Sequence, residues 1–519
     1  MSIATARRHF GPAGTPQVAI VGAGFGGIAT AVKLKRAGIH TFTVFEKSAG
    51  PGGTWWDNRY PGAEVDVASH LYSYSFKSHD WTRTHAKQAE LQSYLEEVLD
   101  DYALRPHFRF TTTVRHVVWD ERTHTYAVHL EGGETIAAHI VVSALGLLNY
   151  PKYPDWPGLD DFAGPKFHTF RWEHEHDLAG KRVALVGTGS TATQVVAEIA
   201  PVVGQLYLFQ REPGWVVPKG DRDFTAAERA KYQSKLRRRI TRVKAAYQLE
   251  KNQIGGAIHR PGTTINALRE QQCRTFIDRV FAERPELAEA VTPTYPYPGK
   301  RPILNSTFYP ALLRDNVELI PRAVESVSEK GVVDTDGNEY FVDVLVMATG
   351  FQPANYLASL EVYGVGGRSI HGAWAGEPRA VLGMTVPGFP NFFILYGPNT
   401  NGGEIVSMLE RQAEHVVAAA RRLLRSGKTA VEVRPAIYRA YNRWLERQMH
   451  GTAWVVSNNY YKAPSGRIVT QWPFGPLLYG ILTKTLAPLS ERTRLAATVG
   501  SQPSGGMPAG APVHAQADA

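Results

Sequence analysis

One cysteine in 519 residues, Cys273, rules out an internal disulfide, a cysteine-rich metal site and a CxxC redox pair. Disulfide reduction is thereby excluded, and the scarcity fits a reducing compartment, so a cytoplasmic location is expected. Long apolar runs are missing too. The most apolar stretch, "VAIVGAGFGGIATAV", is interrupted by glycine, so no integral membrane segment is expected, and the opening "MSIATARRHFGPAGTP" lacks the apolar centre of a secretory leader. There is no GxSxG, which removes the nucleophile elbow of a serine hydrolase. Metal-ligand spacing is equally scarce: in "WEHEHD", His174 and His176 flank Glu175 in a charged connector, and no metal is assigned.

What is present is an ordinary core-forming composition, 43% hydrophobic and 20% charged, long enough for two or three domains. The net charge is +9, and its densest source is "KLRRRITRVK", residues 235–244, in a helical stretch after Pro218. This run is read as a solvated helix face, without a nucleic-acid partner. A cationic chain also attracts anionic dinucleotides. Residues 1–15 and 493–519 are expected to be flexible tails, the latter for its Gly, Pro and Ala content and little to bury.

"QVAIVGAGFGGIATAVKLKRAG" passes from a short strand through Gly22, Gly24 and Gly27 into a helix, and "TFTVFEK" returns as a strand ending at Glu46. This is the βαβ order of a dinucleotide site. Gly22 makes the tight turn, Gly24 admits a pyrophosphate, Gly27 lets helix and strand close up, and the helix N-terminus faces the phosphates. The pattern recurs in "KRVALVGTGSTATQVVAEIA", with Gly187, Gly189 and Ala192, and its next strand ends at Arg211. Glu46 follows Gly22 by 24 residues, and Arg211 follows Gly187 by the same 24. A carboxylate accepts from a ribose 2′-OH and repels a 2′-phosphate, whereas a guanidinium grips that phosphate, so the first site suits FAD and the second NADPH.

The expected fold is therefore α/β, with two Rossmann-like dinucleotide-binding domains, for FAD and NADPH, and a helical insertion. The layout is an FAD domain over 16–150, a linker and NADPH domain over 151–340 with the insertion at 221–298, and the FAD domain again over 341–492. "HIVVSALGLLNYP" is read as a buried strand leaving the FAD domain and "YFVDVLVMATGFQP" as its later counterpart.

Between the two cradles stands "FAGPKFHTFRWE", with Phe162, Gly164, His168 and Trp172 in the spacing Phe-x-Gly-x-x-x-His-x-x-x-Trp. Upstream lies "GTWWDNRYPGAEVD", from Gly53 through Trp55 and Tyr60 to Asp66. Downstream lies "GKRPILNSTFYPALLRDNVELI", with Lys300 and Arg301 adjacent. In these three motifs the chain resembles the class B flavoprotein monooxygenases, and within them the Baeyer–Villiger monooxygenases, over about residues 15–490. One position departs from the fingerprint, Glu173 standing where the family has Pro or Asp.

The resemblance implies an NADPH- and O2-dependent enzyme that inserts one oxygen beside a ketone carbonyl through a C4a-peroxyflavin, giving an ester or lactone. Its catalytic residues would be Arg301, which stabilises anionic oxygen, and Asp66, which positions it. FAD contacts would come from Gly22, Gly24, Gly27, Glu46, Thr54, Trp55, Asp66, Tyr72 and Val114. NADP contacts would come from Gly187, Thr188, Gly189, Ser190, Thr191, Ala192, Gln194, Arg211, Lys300 and Arg301. The fingerprint lies in the family's domain linker, where Phe162 and Trp172 would pack the linker down and His168 would hydrogen-bond across it. Oxygenation of nitrogen or sulfur is the alternative; those relatives usually carry Phe or Tyr in place of Trp172. Small-molecule partners would be a ketone and O2. In the C-terminal loop Asn459, Tyr460 and Tyr461 replace the family's usual Ser-Trp-Tyr. Neither the particular ketone nor the oligomeric state is written in any local pattern.

Overall fold

The structure is a computed structural model that describes residues 9–11 and 14–496. Its frame is two parallel five-stranded sheets. The first runs Phe392–Ile394, Ile140–Ser143, Val18–Val21, Phe42–Phe45, Phe108–Arg109 in spatial order. The second runs Val317–Ile320, Gln205–Phe209, Arg182–Val186, Val344–Met347, Lys166–His168. In chain order, eight of these ten strands are β1 (Val18–Val21), β2 (Phe42–Phe45), β3 (Ile140–Ser143), β4 (Lys166–His168), β5 (Arg182–Val186), β6 (Gln205–Phe209), β7 (Val344–Met347) and β8 (Phe392–Ile394). Helices cover one face of each parallel sheet and a small antiparallel sheet covers the other, Val114–Asp120, Thr125–Leu130 and Thr135–Ala138 on the first and Val324–Ser328, Gly331–Asp334 and Glu339–Phe341 on the second, so both faces are dry and the strands read as unbroken apolar runs. Successive β1 residues serve opposite faces, Val18 and Ile20 in one cluster and Ala19 and Val21 in another. In β5, Val183 and Leu185 divide in the same way from Ala184 and Val186.

In each sheet the central glycine-loop strand feeds a helix, α1 (Phe25–Arg36) after β1 and α2 (Ser190–Ile199) after β5. Residues 226–291 hold four α-helices, of which α3 (Lys235–Gln253) is the longest. Two later helices matter below: α4 (Ile405–Ser426), which lies against α1, and α5 (Pro476–Ser490), which lies against α4.

Three expectations need correction. β7, from "YFVDVLVMATGFQP", belongs to the second sheet, hydrogen-bonded between β5 and β4. A fully buried parallel strand reads the same in either sheet, and pattern alone does not say which neighbour it takes. The C-terminal tail begins later than residue 493, because Glu491–Arg494 pairs antiparallel with Ala430–Val433. At the other end, Phe10 is buried in the first core and edges against the His139 ring. Residues 1–8, 12–13 and 497–519, within the expected tails, lie outside the described residues.

The chain passes between the sheets twice, side by side. The Lys152 amide donates to the Gly350 carbonyl at 2.9 Å and the Gln352 amide to the Tyr150 carbonyl at 3.0 Å. A second clasp comes from the segment 60–66. The Tyr60 hydroxyl donates to Gln194 Oε1 on α2 at 3.0 Å, and Gln194 Nε2 donates back to the Glu64 carbonyl at 3.1 Å. Lys219 Nζ, 1% exposed, reaches the Glu64 carboxylate at 2.7 Å and the Val65 carbonyl at 2.7 Å.

Removing the Lys219 ammonium would strand a desolvated carboxylate. Lys219→Ala should therefore destabilise the fold by about 3–5 kcal/mol, measurable by denaturant unfolding followed by tryptophan fluorescence. A loss under about 1 kcal/mol would show that the pair is solvated in practice.

Buried histidines make the fold acid-labile. Burial lowers His70, His85, His139 and His168 from 6.5 to about 4, and His259 to about 3. The unfolded chain then binds more protons than the folded one between pH 6.5 and those lowered values. Stability is complete above pH 6.5 and is lost as pH falls through this window. The thermal midpoint should drop steeply from pH 6.5 to pH 4.5, and a flat profile there would contradict neutral buried rings.

Candidate functional site

The two cradles are built alike. After β1 the chain turns at Gly22 (φ 109°), where a Cβ would lie 2.6 Å from the Ala144 carbonyl oxygen. After β5 it turns at Gly187 (φ 117°), where a Cβ would lie 2.5 Å from the Ala348 oxygen. Ala144 follows β3 and Ala348 follows β7, so the same neighbouring strand blocks the same position in each sheet. Gly24 and Gly189 then cap α1 and α2 without any side-chain hydrogen bond, leaving the first helical amides free for an anion.

The first cradle opens on a cleft of about 1110 Å³, its mouth included. Gly22, Gly24, Glu46, Thr54, Trp55, Tyr72 and Val114 all line it. Gly27 lies beneath, buried in α1. Glu46 Oε2 accepts from the Ala23 amide at 2.8 Å and Oε1 from the Ser48 amide at 2.9 Å. Each oxygen keeps a lone pair for a hydroxyl. Trp55 Nε1 donates to the Tyr72 hydroxyl at 3.3 Å, closing one wall. Open helix amides, a pinned carboxylate and an apolar wall fit a dinucleotide. The cleft also takes in Asp57 and Tyr396, which no motif singles out. Burial raises the Asp57 pKa and pushes the Tyr396 phenol up to about 12.

At the second cradle Thr188 is buried, Ser190 and Thr191 form the first turn of α2, and Ala192 is fully buried behind it. Gln194 does not face the cradle; it is committed to Tyr60 and Glu64. The matched count of 24 residues does not survive in three dimensions. Val21 pairs with Phe45, but Val186 pairs with Phe209, so the structural counterpart of Glu46 is Gln210 and Arg211 lies one residue further on. Gln210 is buried, its amide donating to the Ala290 carbonyl at 2.7 Å. The exposed Arg211 forms no ion pair with a described residue. Lys300 is ion-paired with Glu212, the residue beside Arg211, and lies over the Tyr295 ring at 5.2 Å.

Arg301 joins the two halves. Its Nη2 donates to Asp66 Oδ2 at 2.8 Å, and its side chain remains 41% exposed at the mouth between the sheets. Burial works against its charge, but Asp66 and the Tyr460 and Tyr396 hydroxyls outweigh it and hold the guanidinium pKa above its ordinary value. Tyr460 comes from the C-terminal loop, which docks onto the same corner: Asn459 Nδ2 donates to the Gly299 carbonyl at 2.9 Å. The resemblance marked this loop but not its docking point, because the partner of Asn459 is a backbone carbonyl that every residue possesses.

The fingerprint is not a free linker. Its residues 166–168 form β4, the edge strand beside β7. Phe162 is buried under the second sheet, Trp172 meets Phe167 edge-on, and a Cβ at Gly164 would lie 2.4 Å from the Asp343 carbonyl. His168 faces the Gly350 backbone across the passages, which partly offsets the effect of burial, and its other ring nitrogen is engaged locally. Its Nδ1 accepts from the Phe170 amide at 3.1 Å, a local turn, and its ring packs on Tyr153 and Phe351, one from each passage between the sheets. Just beyond, Glu173, Glu175 and His176 bring potential ligand atoms within 4.8 Å of one another, with His176 bonded to Glu173 at 2.9 Å.

Comparison with known proteins agrees with this geometry. Residues 19–267 match the pyridine nucleotide-disulphide oxidoreductase family model. With one cysteine, the chain cannot form an internal disulfide of the kind that family's name refers to. A Baeyer–Villiger monooxygenase of Streptomyces coelicolor is 39% identical over 468 residues, 88% of either chain. One of Pseudomonas aeruginosa is 36% identical, covering 92% of this chain and 94% of its own. Among solved structures, a steroid monooxygenase bound to NADP superposes with TM-score 0.84 at 29% identity, over 92% of this chain and 99% of that one. The cyclohexanone monooxygenase of Rhodococcus sp. Phi1 bound to NADP+ gives 0.83 at 30%, over 93% and 99%. The chain belongs to the Baeyer–Villiger monooxygenase family.

Proposed function

We propose that Arg301, oriented by Asp66, is the cation that faces the reacting oxygen, and that Arg211 reads the 2′-phosphate of NADPH. The enzyme is an NADPH- and O2-dependent flavoprotein that inserts one oxygen atom beside a ketone carbonyl, rather than an oxygenator of nitrogen or sulfur. FAD, reduced by NADPH, supplies the oxygen-activating chemistry when bound. Glu46 and the open amides of α1 would hold it in the first cradle, and α2, Arg211 and Lys300 would hold NADPH in the second. The single cysteine supports a cytoplasmic setting.

The observation that carries the assignment is the 2.8 Å pair itself. Asp66 belongs to the motif beside the first cradle and Arg301 to the motif beside the second. A partly open guanidinium at their junction keeps its charge against burial and can stabilise negative charge on oxygen. Asp66 fixes its direction, so that little reorganisation is needed when that charge develops.

Arg211→Ala should weaken NADPH by about 1.5–3 kcal/mol and leave NADH almost unchanged, as read from KM and from binding to the oxidised enzyme. Equal losses for the two nucleotides would remove Arg211 from the phosphate site.

In Arg301→Ala, anaerobic mixing with NADPH should still bleach the flavin absorbance, while ester yield per NADPH falls at least about 100-fold. Oxygen uptake should then appear as hydrogen peroxide. Asp66→Ala should follow the same trend more mildly. A near wild-type ester yield in Arg301→Ala, with normal flavin content, would sink the assignment of this residue and leave the family reaction to another cation.

A further inference from the structure

The basic run at 235–244 is more than a solvated face. On α3 four large apolar residues are exposed: Leu236 (67%), Ile240 (45%), Val243 (61%) and Tyr247 (64%). At 3.6 residues per turn these four fall within about 60° of one another, a single outward ridge. Exposed cations border it, Lys235 and Arg239 on one side and Arg237 and Lys244 on the other. The two remaining arginines turn inward. Arg242 donates to the His70 carbonyl at 3.1 Å and the Ser73 carbonyl at 2.7 Å, and Arg238 to the Tyr232 carbonyl at 2.6 Å. From Lys235 to Leu249 the helix has no acidic residue. A second exposed pair, Leu477 (62%) and Ile481 (50%), stands on α5 with Lys484 beside it. The first turn of α5 adjoins the end of α3, the Leu477 amide donating to Glu250 Oε2 at 3.0 Å. α5 likewise contains no acidic residue.

We infer that this face docks the enzyme on an anionic lipid surface. The ridge would enter the headgroup boundary, while the flanking lysines and arginines extend to the phosphates, as amphipathic basic helices do at interfaces. Charge selects between the two ways of covering such a face. A second copy paired through the same ridge would set the flanking cations of one chain against those of the other, with no carboxylate on either helix segment to offset them. A bilayer with anionic headgroups satisfies the apolar ridge and the cations together.

The test uses the full, FAD-loaded chain and co-sedimentation with phosphatidylcholine vesicles, with and without phosphatidylglycerol. Binding should require phosphatidylglycerol and weaken with salt. Leu236→Gln/Val243→Gln and Arg237→Gln/Lys244→Gln should each lower the partition at least about tenfold. Because all four side chains are exposed and distant from the cradles in sequence, flavin content, thermal midpoint and NADPH oxidation in solution should stay at wild-type values. Three outcomes overturn the inference: no binding to anionic vesicles, binding that neither double variant reduces, or sedimentation equilibrium showing a dimer that Leu236→Gln/Val243→Gln converts to monomers without any vesicle binding.

Discussion

The buried pair of Lys219 and Glu64 is the constraint from which the site follows. Two charges withdrawn from water are tolerated only in good geometry, and here the ammonium is satisfied by a carboxylate and a carbonyl of the same short segment. That fixes residues 64–65, and Asp66 is next in the chain. The carboxylate paired with Arg301 therefore adjoins a residue held by Lys219, which follows the short strand Val216–Val217 paired with Ile303–Leu304. Tyr60 and Gln194 secure the other end of the segment. If Arg301 serves as the proposed reacting cation, a pair assembled from the two halves needs such a clasp, because small displacements of one half would otherwise cost much of the rate.

The cradles show how one backbone solution is used twice for different ligands. Both turns put a glycine where a neighbouring carbonyl allows no side chain, and both leave a helix start open. What differs is the strand end. At the first, Glu46 is pinned by two amides; at the second, the equivalent position is given to a buried glutamine and the cation comes one residue later. The frame binds a pyrophosphate by backbone, and discrimination between nucleotides is left to one or two side chains at the edge.

Much of this was legible in the chain because it depends on local chemistry. A glycine forced by a turn, or an acid and a base held in separate motifs, leaves a mark at fixed spacing. Of the residues expected to contact FAD, Gly22, Gly24, Glu46, Thr54, Trp55, Tyr72 and Val114 line one cavity, whereas Gly27 and Asp66 do not. Register was not legible: a single residue separates Arg211 from the counterpart of Glu46, and only strand pairing exposes the offset. Nor was sheet membership, since the β7 sequence is as suited to one parallel sheet as to the other. The α3 ridge is a third kind of failure. Periodicity reports that a helix has an apolar side, but not which way that side points, and here arginine carbonyl contacts, rather than leucines, face the protein.

The paired passages at 150–152 and 350–352 bear on how such a protein could arise. Because the chain enters and leaves the second sheet through two segments bonded to each other, that sheet with its helices is a loop whose ends already touch. Closing a loop with adjacent ends costs the host little entropy, so an entire folded unit can be carried between β3 and β8 without disturbing the strands on either side. Such a unit keeps its phosphate grip in its backbone, and the side chains at its edge can differ from the host's without disturbing either sheet.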